Sequence, residues 1–120
     1  MNTVIPSEIT REMPPLYSGD EIPLEDKVAL ARVYCPINGW SWLVFERGTG
    51  SQAHLYFGFV FGDFAEMGYF SEEEWASVNA LYPGAIEFDW TFTARPFSAV
   101  QEFHRTVGDL WPRTWAEGSW

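Results

Sequence analysis

"GWSWLVFE", residues 39–46, decides how this chain folds, because it sets two tryptophans two residues apart between a turn glycine and a carboxylate. Side chains alternate across a strand, so Trp40, Trp42 and Val44 share one face while Ser41, Leu43 and Phe45 share the other. Neither face is plainly polar. Trp42, central in the strand, is expected in the core, and Trp40, beside the turn, is expected to be partly exposed.

Working outward, "VALARVYC" (28–35) and the turn "PING" make a hairpin with this stretch. After the turn "RGTGSQ", "AHLYFGFVFG" (53–62) reads as a third strand with Leu55, Phe57, Phe59 and Phe61 on one face. Gly58 and Gly62 leave gaps on the other face, room for a close backbone or a ring from the adjacent strand. "AEMGYF" (65–70) is a fourth strand. Ser71 with Glu74 forms a capping box, so a helix begins in "SEEEWASVNALY", its first turn favouring Glu72 and Glu73 through the helix dipole. "AIEFDWTFTA" (85–94) has the most regular alternation, with Ile86, Phe88, Trp90 and Phe92 inward and Glu87, Asp89, Thr91 and Thr93 outward.

Pro96 is expected to open a helix whose Val100, Phe103, Val107, Leu110 and Trp111 recur at helical spacing. At the other end, "SEITREM" (7–13) suits a short helix capped by Ser7 and stopped by Pro14 and Pro15. "PPLYSGDEIPLEDK" (14–27) reads as an irregular acidic loop anchored in the core by Leu16 and Tyr17. The expected fold class is α+β, a meandering antiparallel sheet of about five strands with helices packed on one face. One domain is expected over residues 1–120, with 101–120 as a C-terminal helix and tryptophan-rich tail.

With 120 residues, 47% of them hydrophobic, the chain can bury a core without metal or disulfide staples. Cys35 is the only cysteine, which excludes an intramolecular disulfide and cysteine-based zinc fingers and suits a buried, inert thiol. Acidic residues number 17 against 7 basic ones, a net charge of -10. Such a field repels nucleic acid and anionic membrane and favours basic partners, although plain solubility accounts for the same composition. No apolar run approaches the roughly 20 residues that cross a bilayer, and "MNTVIPSEITREMPP" lacks the pattern of a signal peptide, so a soluble, cytoplasmic protein is expected.

"MPPLYSGD", "CPINGWSWLVFE", "YFGFVFG", "EMGYFSEEE" and "IEFDWTFTARPFS" occur in an order and spacing that resembles a small bacterial domain family of unknown function, carried by plasmids, phages and other mobile elements. The resemblance covers about residues 12–100 and departs from the pattern at Phe88, where a basic residue is expected between the two carboxylates. It implies a context of accessory proteins: stabilisation factors, antirestriction proteins and inhibitors of host nuclease defences.

Acidity suits the last two groups, since carboxylates can occupy a Lys/Arg groove where phosphates would lie. The expected function is therefore an acidic protein-binding module that inhibits a host nucleic-acid-targeting defence complex, of the anti-CRISPR or antirestriction kind. Its expected contact residues are Asp20, Glu21, Glu25, Asp26, Trp40, Tyr69, Glu72, Glu73, Glu74, Glu87 and Asp89, facing a basic surface of a host protein. No cofactor, metal, direct nucleic-acid contact or membrane is expected.

A small carboxylate- or metal-dependent enzyme is the alternative, built on Glu46, Glu66, Glu87 and Asp89 with His54 and His104. The chain has no HExxH, CxxC, GxSxG or P-loop lysine, and solvation or pairing with Arg32, Arg47 or Arg95 accounts for the carboxylates more simply. A plasmid or phage accessory protein with no defence role is a further alternative.

Overall fold

A computed structural model describes residues 2–103 of the chain. Helix α1 (Ser7–Thr10) precedes β1 (Val28–Ala29), β2 (Ala31–Cys35), β3 (Trp40–Arg47), β4 (Leu55–Phe61) and β5 (Ala65–Ser71). Helix α2 (Glu72–Leu81), β6 (Glu87–Phe88) and β7 (Arg95–Pro96) follow. The fold is α+β. Its five-stranded antiparallel sheet runs in the order β5-β4-β3-β2-β6, a meander from β2 to β5 with β6 added beside β2.

The quoted stretch lies at the centre of this sheet, and the sheet is covered on both sides. Trp42 and Val44 join Ile5, Val33, Tyr56, Phe70, Trp75 and Ile86 in one buried cluster, against which Ile9 of α1 also packs. Leu43 and Phe45 join Ala29, Phe59, Phe61, Phe97, Val100 and Phe103 in a second. The helices α1 and α2 thus share the first face, while the segment after β7 closes the second. Two apolar faces on β3 are the consequence of two cores, and Trp42 is buried with Trp40 half-exposed beside it.

Gly62 holds the gap expected of it: a Cβ there would stand 2.9 Å from the Trp40 ring. At Gly58 a Cβ would meet the Leu43 carbonyl oxygen at 1.8 Å, a close backbone. The Gly58 region is also where the ladder slips. Val44 pairs Gly58 but Glu46 pairs Phe57, leaving Phe45 as the extra residue of a bulge. Bulges re-aim side chains, and this one turns Glu46 to the side of Phe57.

Three sequence expectations are corrected. The regular alternation of residues 86–92 does not become a full strand. β6 covers only Glu87–Phe88, and the ladder ends once the Asp89 N–H has donated to the Arg32 carbonyl at 2.9 Å. Asp89 Oδ1 then accepts from the Thr91 N–H (2.9 Å) and hydroxyl (2.7 Å), folding the backbone into an Asx turn. Trp90, expected inward, is 73% exposed.

Helix α1 is a single turn with Pro6, not Ser7, at its cap position and no side-chain cap. Pro96 does not open a helix: it lies in β7, paired with Val28, and a 3-10 turn over Phe97–Ala99 follows. Val107, Leu110, Trp111 and the tryptophan-rich tail lie outside the described residues.

The N-cap half of the capping box forms, with Ser71 Oγ accepting from the Glu74 N–H at 3.2 Å. Phe97 is the hub of the second core, its ring 5.5 Å from Phe45, 4.9 Å from Phe59 and 5.0 Å from Phe103. In urea titrations Phe97→Ala is expected to lower stability by about 3–5 kcal/mol and Ser71→Ala by about 1 kcal/mol. Equal and small effects would place neither side chain where it is described.

Candidate protein-binding surface

Charged groups in this protein are sorted, and the sorting starts with two carboxylates that are not on the surface. Glu72 is 1% exposed. It accepts from the backbone N–H of Val4 (2.7 Å) and of Ile5 (3.1 Å) and from the Tyr56 hydroxyl (2.6 Å). Burial, then the bond to Glu72, pushes the Tyr56 phenol far above its ordinary pKa. The expected role of Glu72 as a partner contact is therefore corrected: its oxygens are committed to the interior, and only Glu73 and Glu74 of that run are exposed.

Glu46, also buried, accepts from the N–H of Tyr17 (2.8 Å) and of Gly19 (2.9 Å). Tyr17 has φ 73°, the left-handed region, which helps aim these amides at one anion. Glycine at position 19 leaves room for this close approach, since a Cβ would lie 2.8 Å from Glu46 Oε2.

Lys27, Arg47 and Arg32 are drawn inward too. Lys27 is buried and donates to the Gly19 carbonyl. Arg47 donates to the carbonyls of Ala53 (2.9 Å) and Thr10 (3.0 Å). Arg95 instead stays at the surface, donating to the carbonyl and hydroxyl of exposed Thr93. Arg32 bridges Asp89 (3.0 Å) and Glu102 (2.5 Å). Burial works against the Arg32 charge, but these two carboxylates outweigh it and raise its pKa.

Outside lie Glu8, Glu12, Asp20, Glu21, Asp26, Asp63, Glu66, Glu73, Glu74 and Glu87, all exposed, with Arg11 among them. Of the other expected contacts, Glu25 is half-buried, and so is Trp40, which packs against Trp42 at 6.1 Å. Asp89 is largely consumed by Arg32 and Thr91. Glu87 bonds the Tyr34 hydroxyl and thereby raises the Tyr34 pKa.

Tyr69 is 51% exposed, packs at a tilt against Phe57 at 5.1 Å, and is bonded to Tyr17, which raises its pKa. Asp20 adds to that rise, so the fold brings Tyr17, Asp20 and Tyr69 together. Tyr17, expected as a core anchor, is instead 61% exposed. Its backbone, not its ring, is the anchor.

Met67, on the Tyr69 side of β5, completes an apolar strip along the free edge of the sheet, with Glu66 beside it. Sequence reading missed Tyr17 and Met67. Alternation signalled a strand at 65–71 but not that it would be an edge.

The carboxylates weighed for catalysis are dispersed. Glu46 is buried under the Tyr17 loop, Glu66 is exposed on β5, and Glu87 and Asp89 lie at and just beyond β6. His54 faces Glu73 at 3.5 Å, and His104 is outside the described residues. Among the described residues no group of three or more His, Cys, Asp or Glu is placed to hold a metal. Cys35 is a free, buried thiol. No helix of the described residues is long and apolar enough to cross a membrane. Comparison with known proteins gives no match to a family model, a curated sequence or a solved structure.

Two outcomes follow from this geometry. Glu72→Gln sets an amide against two backbone donors and is expected to destabilise by on the order of 3 kcal/mol in urea titration; a loss below about 0.5 kcal/mol, the size of an ordinary surface substitution, would rule out the buried clamp.

For Asp89, burial opposes the charge, but bonds from Thr91 and Arg32 prevail and hold its pKa below the usual carboxylate value. A depressed folded pKa gives stability that is present above the unfolded value of about 3.9 and lost as pH falls through the folded one. Asp89→Asn should therefore be less stable than the parent at neutral pH, by a margin that closes below about pH 4. A margin constant with pH would contradict the assignment.

Proposed function

We propose that this chain is an acidic protein-binding module that docks on a basic surface of a nucleic-acid-handling protein. The observation that carries the reading is the sorting of charge. Lys27, Arg32 and Arg47 spend donors inside the protein while the exposed carboxylates face solvent. An outward field this one-sided offers anions where a nucleic-acid groove expects phosphates, and it steers encounter with cationic surfaces.

Tyr17, Tyr69 and Met67, with Asp20 beside them, supply the contact patch, aromatic area for holding and charge for steering. The resemblance to domains of mobile elements supports the narrower role: a cytoplasmic inhibitor of a host nucleic-acid-targeting defence complex, of the anti-CRISPR or antirestriction kind.

The test is capture and competition. Immobilised protein should retain nucleic-acid-binding proteins from host lysate and release them to duplex DNA. Release should also follow as salt shortens the screening length from about 10 Å at 0.1 M to about 3 Å at 1 M. With the captured partner purified, joint Asp20→Lys and Glu21→Lys replacement should slow association, whereas Tyr69→Ala should mainly speed dissociation. Retention indifferent to both DNA and salt would contradict the reading.

A further inference from the structure

Strand β5 (Ala65–Ser71) is the outermost strand on its side of the sheet, and among the described residues no strand pairs with its free edge. Which backbone groups point there follows from the two ends of the β4–β5 ladder. The Glu72 N–H donates to the His54 carbonyl at 3.0 Å and the Gly62 N–H to the Phe64 carbonyl at 3.2 Å, both in the register that pairs Gly58 with Gly68. Bonded and non-bonded pairs alternate in an antiparallel ladder. Glu66, Gly68 and Phe70 therefore bond to β4, while Ala65, Met67, Tyr69 and Ser71 turn their N–H and C=O groups outward. Natural sheets protect such an edge with proline, lysine, a bulge or a very short strand. β5 has 7 residues, an unbroken register and neither proline nor lysine.

We infer that this edge receives an extended basic segment of the partner protein, added antiparallel to β5 as a further strand of the sheet. The inference rests on the reading of a basic partner given above and specifies how that partner is held, through main-chain hydrogen bonds to Met67 and Tyr69. Side chains directly opposite in an antiparallel pair share a face, so the residues bonded to Met67 and Tyr69 lie beside those exposed side chains and suit an apolar body. The residues between them fall on the other face, beside Glu66 and Gly68, and suit lysine or arginine. Gly68 leaves that face open, since a Cβ there would meet nothing within 4 Å. Glycine inside a strand often marks where another chain approaches closely. Glu66 is exposed and offers the carboxylate. A second copy of this chain is disfavoured at the edge, because it would bring another Glu66 and another net charge of -10.

The probe is the end-capped peptide Lys-Val-Lys-Val-Lys, whose valines would bond to Met67 and Tyr69, added to the full chain while amide hydrogen exchange is followed residue by residue. The Met67 and Tyr69 N–H groups should become protected together. N-methylation of both valines should weaken binding roughly ten-fold, whereas N-methylation of the central lysine, whose N–H faces solvent in this register, should change it less than about three-fold. Met67→Pro should bind the peptide roughly ten-fold more weakly than Met67→Ala; the Met67 N–H points away from β4, so proline there removes no bond of the sheet. Salt-sensitive binding that leaves both amides exchanging as before, or equal affinity for the two methylated peptides, would overturn the strand addition and leave the basic partner in place. No binding at a peptide concentration on the order of 1 mM would also overturn it, and capture from lysate decides the basic partner separately. Protection of Met67 and Tyr69 that grows with concentration of the chain alone would assign the edge to a second copy and overturn the inference too.

Discussion

Glu72 accepts three hydrogen bonds inside the protein, and three separate parts of the chain meet at its carboxylate. Val4 and Ile5 bring the N-terminal segment, Tyr56 brings β4, and the residue itself begins α2. Desolvating such an anion costs several kcal/mol. The opposing terms are charge-assisted bonds on both oxygens and the positive end of α2, where Glu72 occupies the first turn. With the anion in place, Ile5 is held in the first core at full burial beside Trp75 and Tyr56. Glu46 repeats the device on the Tyr17 loop, one carboxylate gathering two amides from a loop that bridges the end of β3 at Pro15. The N-terminal segment is thus fastened to the sheet by anions as much as by apolar contact.

This divides the acidity of the protein into two kinds with different physics. The inner carboxylates act at hydrogen-bond distance, in surroundings where salt screens little. The outer ones act through a summed field that ionic strength weakens. Lys27, Arg32 and Arg47 turn inward, which leaves Arg11 and Arg95 as the described cations among the outer carboxylates. A composition that merely kept the protein soluble would have no need to seat Lys27 under the Gly19 carbonyl or to span Asp89 and Glu102 with Arg32. That arrangement is what the proposal of a basic partner rests on.

Much of the fold was legible because its signals are local. The alternation in "GWSWLVFE" placed Trp42 and Leu43 on opposite faces, Gly62 announced the ring that fills its gap, and Ser71 with Glu74 announced α2. What could not be read was set by distant backbone. The amides held by Glu72 lie 67 and 68 residues away and those held by Glu46 27 and 29, and a backbone N–H leaves no mark in a sequence. Residues 86–92 failed for the opposite reason. Two local signals competed there, and the Asx turn of Asp89 and Thr91 prevailed over alternation, freeing Trp90 to the surface. The candidate site was half legible: Asp20 and Tyr69 were named, while Tyr17 and Met67 needed the edge position of β5 and the turned-out Tyr17 ring to be seen.

The claim on which the rest depends is that buried carboxylates hold the N-terminal backbone to the sheet, and amide hydrogen exchange reads it directly. Val4, Ile5, Tyr17 and Gly19 lie outside the five-stranded sheet, and each donates its N–H to Glu72 or Glu46. If the claim holds, those four amides exchange only when the whole domain opens, with protection comparable to that of the β3 and β4 ladder. Exchange at the rate of an exposed loop, while the ladder stays protected, would contradict it.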